Sequence, residues 1–129
     1  IKIIRIAGAI SSKQNCLRCK SLHRYMFIFV DNDNAIKYNQ PGGRVKVTVA
    51  QKSGEVLLSV QDTGIGISPE HQEKVFERFY RVDKSHSRQS GGTGLGLSIV
   101  KHAVQYHHGR IILESEQNKG TTVSVILSK

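Results

Sequence analysis

Several residue types are scarce in this chain of 129 residues. It has no Trp, one Met, two Pro and two Cys, and aromatic residues make up only 6%. No run approaches the roughly 18 apolar residues of a membrane-spanning helix, and the charged-then-apolar-then-small pattern typical of a secretory leader is not found, so we expect none. With 38% hydrophobic and 22% charged residues, the composition predicts a single globular domain over residues 1–129. Because Met does not begin the chain, we expect it to be a piece of a longer protein.

The two cysteines, Cys16 and Cys19, form a single CxxC pair. A structural zinc site needs four ligands, and no second CxxC follows. His23 could add a third ligand, but no fourth is apparent, and Lys20 does not fit the haem-attachment pattern. We therefore interpret both as ordinary reduced cysteines of a cytosolic protein.

Acidic residues are also scarce, with 10 Asp and Glu against 19 Lys and Arg, for a formal net charge of +9. Such an excess suits a phosphate-rich partner, although a merely solvated basic surface would give the same count. A nucleic-acid-binding domain would rest on charge alone, since the sequence lacks interleaved exposed aromatics and any recognised motif. We therefore expect no nucleic-acid partner.

The predicted elements alternate as helix, hairpin, short helix, loop, helix and hairpin. A helix should begin at Ser68-Pro69, with the Ser68 hydroxyl as its cap and with Val75 and Phe76 directed inward. The remaining predictions are a strand at 1–10, a loop at 11–20, a helix at 22–38, strands at 45–49 and 56–60, a mobile loop at 80–93, a helix at 95–106 and strands at 111–113 and 123–127. Because neighbouring strands pair locally, the order favours an α+β, two-layer α/β sandwich over a doubly wound parallel sheet.

A glycine-rich segment at 90–97 runs directly into the predicted helix. Four of the twelve glycines lie in six residues, and these are Gly91, Gly92, Gly94 and Gly96. Backbone N–H groups of such a segment, together with a helix N-terminus, favour phosphate. A flexible linker is the alternative, but linkers rarely open a well-patterned amphipathic helix. The segment lacks the Lys-Ser/Thr ending of a P-loop and the preceding strand of a Rossmann turn.

Two further groups of residues suit a nucleotide. Asp62 ends a predicted strand and could accept a hydrogen bond from an exocyclic amine, while Gly64 and Gly66 would let the loop pass beneath a flat ring; a simple strand-to-helix turn is the alternative. Asn34, Lys37 and Tyr38 share one helix face by their spacing. On that face, the amide could bind a metal ion or phosphate, the ammonium group could bind phosphate, and the aromatic ring could pack against the base. The alternative is a routine amphipathic helix end.

Taken in this order, residues 33–129 resemble the ATP-binding catalytic domain of sensor histidine kinases, in the GHKL or Bergerat-fold ATPase family. Residues 34–38 resemble its N box, 62–67 its first glycine box, 75–81 its phenylalanine box and 92–97 its second glycine box, which 98–101 continue. The phenylalanine box and the sequence GTGLGLSIV distinguish the chain from the related chaperones, topoisomerases and mismatch-repair ATPases. Residues 1–30 match the family poorly.

The resemblance implies a mixed sheet with helices on one face, and ATP bound beneath a flexible lid at 80–94. Asp62 would accept the adenine amino proton, Tyr38 and Ile67 would pack near the base, and Asn34 and Lys37 would face the phosphates as catalytic residues. The implied nucleotide contacts are Asn34, Lys37, Tyr38, Asp62, Gly64, Gly66, Ile67, Tyr80, Arg81, Lys84, Gly91, Gly92, Thr93, Gly94, Leu95, Gly96 and Leu97.

The resemblance also implies a reaction and its partners. The γ-phosphoryl group of ATP would pass to a histidine on a separate dimerisation and phosphoacceptor domain, with a response regulator downstream. Positioning and charge neutralisation dominate such transfers, so no general base is expected here. None of the six histidines lies in a phosphoacceptor box, so the chain would not phosphorylate itself alone. It would be a cytoplasmic monomer from a membrane-anchored parent.

The metal ligands are the point where the sequence departs from the family. The N box usually has two asparagines four residues apart, and the earlier position here is Val30. Asn34 together with Asp31 could hold Mg²⁺, or Asn32 could take the role by a two-residue slip. If neither does, the alternative function is a nucleotide-binding module without kinase activity.

Overall fold

A computed structural model describes residues 2–7, 34–82 and 93–128. Among these residues, no helix is long and apolar enough to cross a bilayer. In chain order the elements are β1 (Lys2–Ala7), a helical segment α1 (residues 34–37), β2 (Arg44–Lys52), β3 (Glu55–Asp62), α2 (Pro69–Gln72), a 3-10 turn (Lys74–Phe76), α3 (Gly96–Tyr106), β4 (Arg110–Glu116) and β5 (Gly120–Ser128).

The five strands form one mixed sheet in the order β1-β2-β3-β5-β4. Strand β1 runs parallel to β2, and the other neighbours are antiparallel. The β2–β3 hairpin turns at Ser53-Gly54, where both φ angles are positive, at 50° and 83°. Such angles match the right-handed twist of the two strands. Pairing of β3 with β5 then joins the two hairpins, so the predicted mixed sheet is confirmed.

The core lies on one face of this sheet because apolar residues recur at every second position of its strands. Ala35 of α1 and Val100 and Val104 of α3 are buried in the same cluster. The strands contribute Val45, Val47, Val56, Leu58, Val60, Val123, Val125 and Leu127. The alternate positions are polar or half-buried, as at Ser59, whose Oγ lies 3.0 Å from that of Ser124. Helices therefore cover one face, which confirms the two-layer sandwich.

The predicted helix after Ser68 differs from the observed one in length and in its cap. It ends at Gln72, and a 3-10 turn follows, in which Val75 and Phe76 are only half-buried. The Ser68 hydroxyl does not cap the helix. The hydroxyl donates to Oε1 of Glu70 at 3.4 Å, and its oxygen accepts no backbone N–H of the helix.

Two other predicted elements are described only in part. The predicted helix at 22–38 is helical at residues 34–37, and its earlier portion lies outside the described residues. The same holds for positions 83–92 of the predicted mobile loop. The predicted helix at 95–106 is confirmed as α3, and the four predicted strands at 45–49, 56–60, 111–113 and 123–127 are each confirmed within a longer strand.

Candidate functional site

The Asp62 carboxylate stands at the end of β3, where the sheet gives way to a loop. Its Oδ1 accepts hydrogen bonds from the backbone N–H groups of Gly64 at 2.8 Å and Thr121 at 3.2 Å. Among the described residues, no donor contacts its Oδ2, and both recorded hydrogen bonds go to Oδ1. The side chain is half-buried.

Burial raises the pKa of the Asp62 carboxyl above its ordinary value of 3.8, and the hydrogen bonds from Gly64 and Thr121 offset part of that rise. The dominant cause is the loss of water around the charged form. A carboxylate that has lost water in this way gains more from an incoming N–H donor than a fully hydrated one.

The loop at 63–67 is held between the end of α1 and the β4–β5 turn. The N–H of Ile65 donates to the carbonyl of Tyr38 at 3.2 Å, and the carbonyl of Ile65 accepts from Asn118 N at 2.7 Å. A Cβ at Gly64 would overlap the Tyr38 carbonyl, and one at Gly66, whose φ is +68°, would overlap the Glu116 carbonyl. These glycines therefore allow the protein's own backbone to approach closely, which is a role that the sequence reading did not assign to them.

The predicted residues of α1 lie next to this loop. Tyr38 donates its N–H to the Asn34 carbonyl at 3.0 Å, which closes the last helical turn. The Lys37 ammonium lies 5.2 Å from the centroid of the Tyr38 ring, and that ring is 47% exposed. The hydrogen bond from Ile65 to Tyr38 thus brings Tyr38 next to the loop that follows Asp62.

A second group of predicted residues lies where the lid segment leaves and rejoins the fold. The N–H of Phe79 donates to the Gly94 carbonyl at 2.9 Å, and the φ angles there are +65° and +71°. Tyr80 is half-buried, and its hydroxyl lies 2.5 Å from Nδ1 of His71. Arg81 is also half-buried. The two ends of the lid segment are thus joined by a backbone hydrogen bond.

Helix α3 presents its N-terminus at the same place. It begins at Gly96, follows Leu95 without a side-chain cap and carries no acidic residue in its first turn. Thr93 is exposed and Leu97 is half-buried. No acidic side chain of the first turn and no side-chain cap therefore neutralises the positive end of the helix dipole, which favours an anion at this position.

Helix α2 contacts both the loop at 63–67 and the residues around Tyr80. His71 bonds Tyr80 at the lid, and the adjacent Gln72 donates from Nε2 to the carbonyls of Ile67 and Ser115, each at 2.9 Å. Ser115 and Thr121 bond each other through their hydroxyls at 2.8 Å. Sequence reasoning missed Gln72, Ser115 and Thr121, because their spacing along the chain matches no motif and only the folded sheet brings them to the loop.

Part of the predicted site lies outside the described residues. This applies to Asp31, Asn32 and Val30 at the metal position, to Cys16 and Cys19, and to Lys84, Gly91 and Gly92 of the lid. Within residues 2–7, 34–82 and 93–128, no group of three or more His, Cys, Asp or Glu side chains is placed to hold a metal ion. Among the predicted Mg²⁺ ligands, only Asn34 belongs to the part of the chain that is described.

Comparison with proteins of known sequence places these residues in context. The chain is 47% identical over 94 residues to the sensor histidine kinase RppB of Synechocystis sp.. It is 48% identical over 99 residues to the signal transduction histidine-protein kinase ArlS of Staphylococcus aureus. These alignments cover 73% and 77% of this chain but only 21% and 22% of the relatives. The chain thus spans about a fifth of the length of the curated relatives that it matches.

Solved structures agree with the sequence relatives. A mycobacterial sensor histidine kinase, MprB, superposes with a TM-score of 0.75 at 30% identity, covering 98% of this chain and 80% of that one. Full-length ShkA in complex with AMPPNP superposes with a TM-score of 0.79 at 25% identity, covering 98% and 25%. The family model of histidine kinase-, DNA gyrase B- and HSP90-like ATPases matches residues 22–129. The chain therefore belongs to this ATPase family and is of the histidine kinase type.

Proposed function

We propose that this chain binds Mg-ATP and transfers the γ-phosphoryl group to a histidine on a separate phosphoacceptor domain. The observation that carries the proposal is the Asp62 carboxylate, which is half-buried and held by two backbone donors on Oδ1. Its Oδ2 then accepts the exocyclic amine of adenine. The ATP analogue in the ShkA complex supports a nucleotide as the ligand of this fold.

The remaining predicted residues take roles set by their place around Asp62. Tyr38 and Ile67 flank the base, because the loop at 63–67 is bonded to Tyr38. Backbone N–H groups of Gly94, Leu95, Gly96 and Leu97 bind phosphate at the uncapped start of α3. Asn34 and Lys37 face the phosphates, and Arg81, Lys84, Tyr80, Gly91, Gly92 and Thr93 belong to the lid that closes over them.

Asn34 and Asp31 are the proposed protein ligands of Mg²⁺. The oxygens of an amide and a carboxylate are ligands that Mg²⁺ accepts together with water and substrate phosphates. When bound, the ion neutralises charge on the phosphates during transfer. Asn34 is half-buried at the start of the described part of α1.

The length of the relatives supports the proposed partners. Because this chain matches only 21% and 22% of RppB and ArlS, other segments of the parent protein supply the dimerising phosphoacceptor domain. A response regulator then receives the phosphoryl group. We place the chain, as a monomer, in the cytoplasm, as part of a membrane-anchored parent.

The experiment is phosphotransfer in trans. The purified chain, radiolabelled ATP and Mg²⁺ are mixed with the cognate phosphoacceptor domain, and acid-labile label on its histidine is measured. Labelling should require Mg²⁺, vanish with an acceptor whose histidine is replaced by Gln, and fall strongly with Asp62→Asn at an ATP concentration near the dissociation constant of the unaltered chain. ATP binding that is indifferent to Mg²⁺, with no label, would contradict kinase activity and support the nucleotide-binding module instead.

A further inference from the structure

The backbone of Ile67 is held entirely by two side chains from outside its loop. Its N–H donates to Oγ of Ser115 at 2.8 Å, and its carbonyl accepts from Nε2 of Gln72 at 2.9 Å. Ile67 ends the loop that starts at Asp62, so these two bonds determine where the distal end of that loop lies.

Gln72 uses both of its amide protons in this arrangement. The second proton goes to the carbonyl of Ser115 in β4, also at 2.9 Å. Two carbonyl oxygens facing one amide group require its nitrogen rather than its oxygen at that point. Gln72 therefore ties the loop to the sheet, and a carboxylate or an apolar side chain of the same size could not.

Ser115 extends the connection to Asp62. Its hydroxyl lies 2.8 Å from Oγ1 of Thr121 and 3.1 Å from the Gly120 carbonyl. The N–H of Thr121 in turn donates to Oδ1 of Asp62. Hydrogen bonds thus connect Gln72 to Ser115, Ser115 to Thr121 and Thr121 to the Asp62 carboxylate, through backbone atoms at some residues and side-chain atoms at others. Both Gln72 and Ser115 also bond Ile67 at the far end of the same loop.

We propose that Gln72 and Ser115 are positioning residues for adenine recognition, which set the affinity for ATP by holding the Asp62–Ile67 loop. This inference rests on the proposed function, because it takes adenine to be the ligand of Asp62. Both side chains are half-buried, and neither is assigned a contact with the nucleotide.

The test compares Gln72→Leu with Gln105→Leu, an exposed glutamine of α3, by calorimetric titration of the whole chain with ATP and with ITP. In ITP a carbonyl oxygen replaces the exocyclic amine, so the donor proposed for Asp62 is lost. Two lost hydrogen bonds should weaken ATP binding by about tenfold. ITP binding should change much less, so the ratio of the two affinities falls, and Gln105→Leu should leave the ratio unchanged. A general loss of folded protein would lower both affinities equally.

Amide exchange of the free chain gives a second measurement that needs no nucleotide. Exchange at Ile67 and Gly64 should become faster in Gln72→Leu and in Ser115→Ala, while Val125 in the core should keep its protection. Unchanged exchange together with an unchanged affinity ratio would overturn the inference. If the unaltered chain bound no ATP, the proposed function would fail, and the exchange rates alone would decide whether Gln72 holds the loop.

Discussion

The backbone N–H of Thr121 lies 3.2 Å from Oδ1 of Asp62. The last backbone pair between β3 and β5 is Gln61 with Thr122, so the carboxylate extends this ladder by one rung. Gly120 lies just before Thr121, and a Cβ there would overlap the Asp62 carbonyl. Strand β5, which is distant along the chain, therefore holds the carboxylate together with the N–H of Gly64 in the following loop.

Replacing Asp62 by Asn should weaken ATP binding by about tenfold to a hundredfold, since a hydrogen bond to a charged acceptor is worth roughly 1.5–3 kcal/mol. The amide oxygen of Asn can still accept from Gly64 and Thr121, so far-ultraviolet circular dichroism should hardly change. Calorimetric titration measures the affinity, and the exposed Glu114→Gln is the matched control. Equal affinity in the wild type and the Asp62 variant would place adenine in another pocket.

The raised pKa of Asp62 predicts a dependence on pH. As pH falls through that pKa, the carboxylate is neutralised and ATP affinity should drop, at a higher pH than an aspartate with the ordinary value of 3.8 would require. The stability effect has the opposite sign. Because the folded chain holds this proton more tightly, the group's contribution to folding is greatest below pH 3.8 and is lost as pH rises through the raised pKa.

Titrations and urea unfolding at stepped pH check both directions against Asp62→Asn. Protonation of ATP itself affects both proteins alike and cancels in the comparison. Superimposable pH profiles for the wild type and the variant would contradict a perturbed carboxyl.

Gly54 and Gly66 have similar backbone angles, so alanine substitutions at the two positions separate the cost of a left-handed backbone from the cost of steric overlap. Gly54 has φ +83° and no heavy atom within 4 Å of an added Cβ, whereas at Gly66, with φ +68°, the Cβ would overlap the Glu116 carbonyl. Gly54→Ala should cost about 1–2 kcal/mol from the left-handed backbone alone. Gly66→Ala should cost clearly more and also weaken ATP binding, as urea unfolding and titration would measure. Equal losses of stability in the two variants would argue against the close approach.

Removing the Tyr80 hydroxyl should destabilise the fold. Tyr80→Phe loses the bond to Nδ1 of His71 and should lower the free energy of unfolding by about 1 kcal/mol. Tyr106→Phe is the control, since that side chain is 78% exposed. Thermal unfolding measures both. A stability loss confined to Tyr106→Phe, or absent from both variants, would show that the bond between the Tyr80 hydroxyl and His71 does not stabilise the fold.

Much of the fold follows from local patterns. Valines at every second position of β2 and β5 predict strands with one buried face, and Val45 and Val125 are indeed almost fully buried. The start of α3 follows from glycines that pass into an amphipathic run. These features depend on residues close together in sequence, which is why periodicity is enough to find them.

The features that were missed depend on neighbours distant in the chain. Gln72 and Ser115 are 43 residues apart and meet only because the sheet is assembled. The reason for Gly66 lies in the backbone of Glu116, which no spacing near Gly66 predicts. The sequence predicts that Asp62 ends a strand. It does not predict the backbone groups of Gly64 and Thr121 that hold the carboxylate.

The pairing of β3 with β5 also bears on how the chain folds. Asp62 and Thr121 are separated by 59 residues, whereas each hairpin closes over a few residues. Long-range contacts of this kind form late because loop closure costs entropy before it is rewarded. We therefore expect protection of the Gly64 and Thr121 amides to arise in one slow kinetic phase, after the hairpins, so that the nucleotide pocket appears only when the sheet is complete.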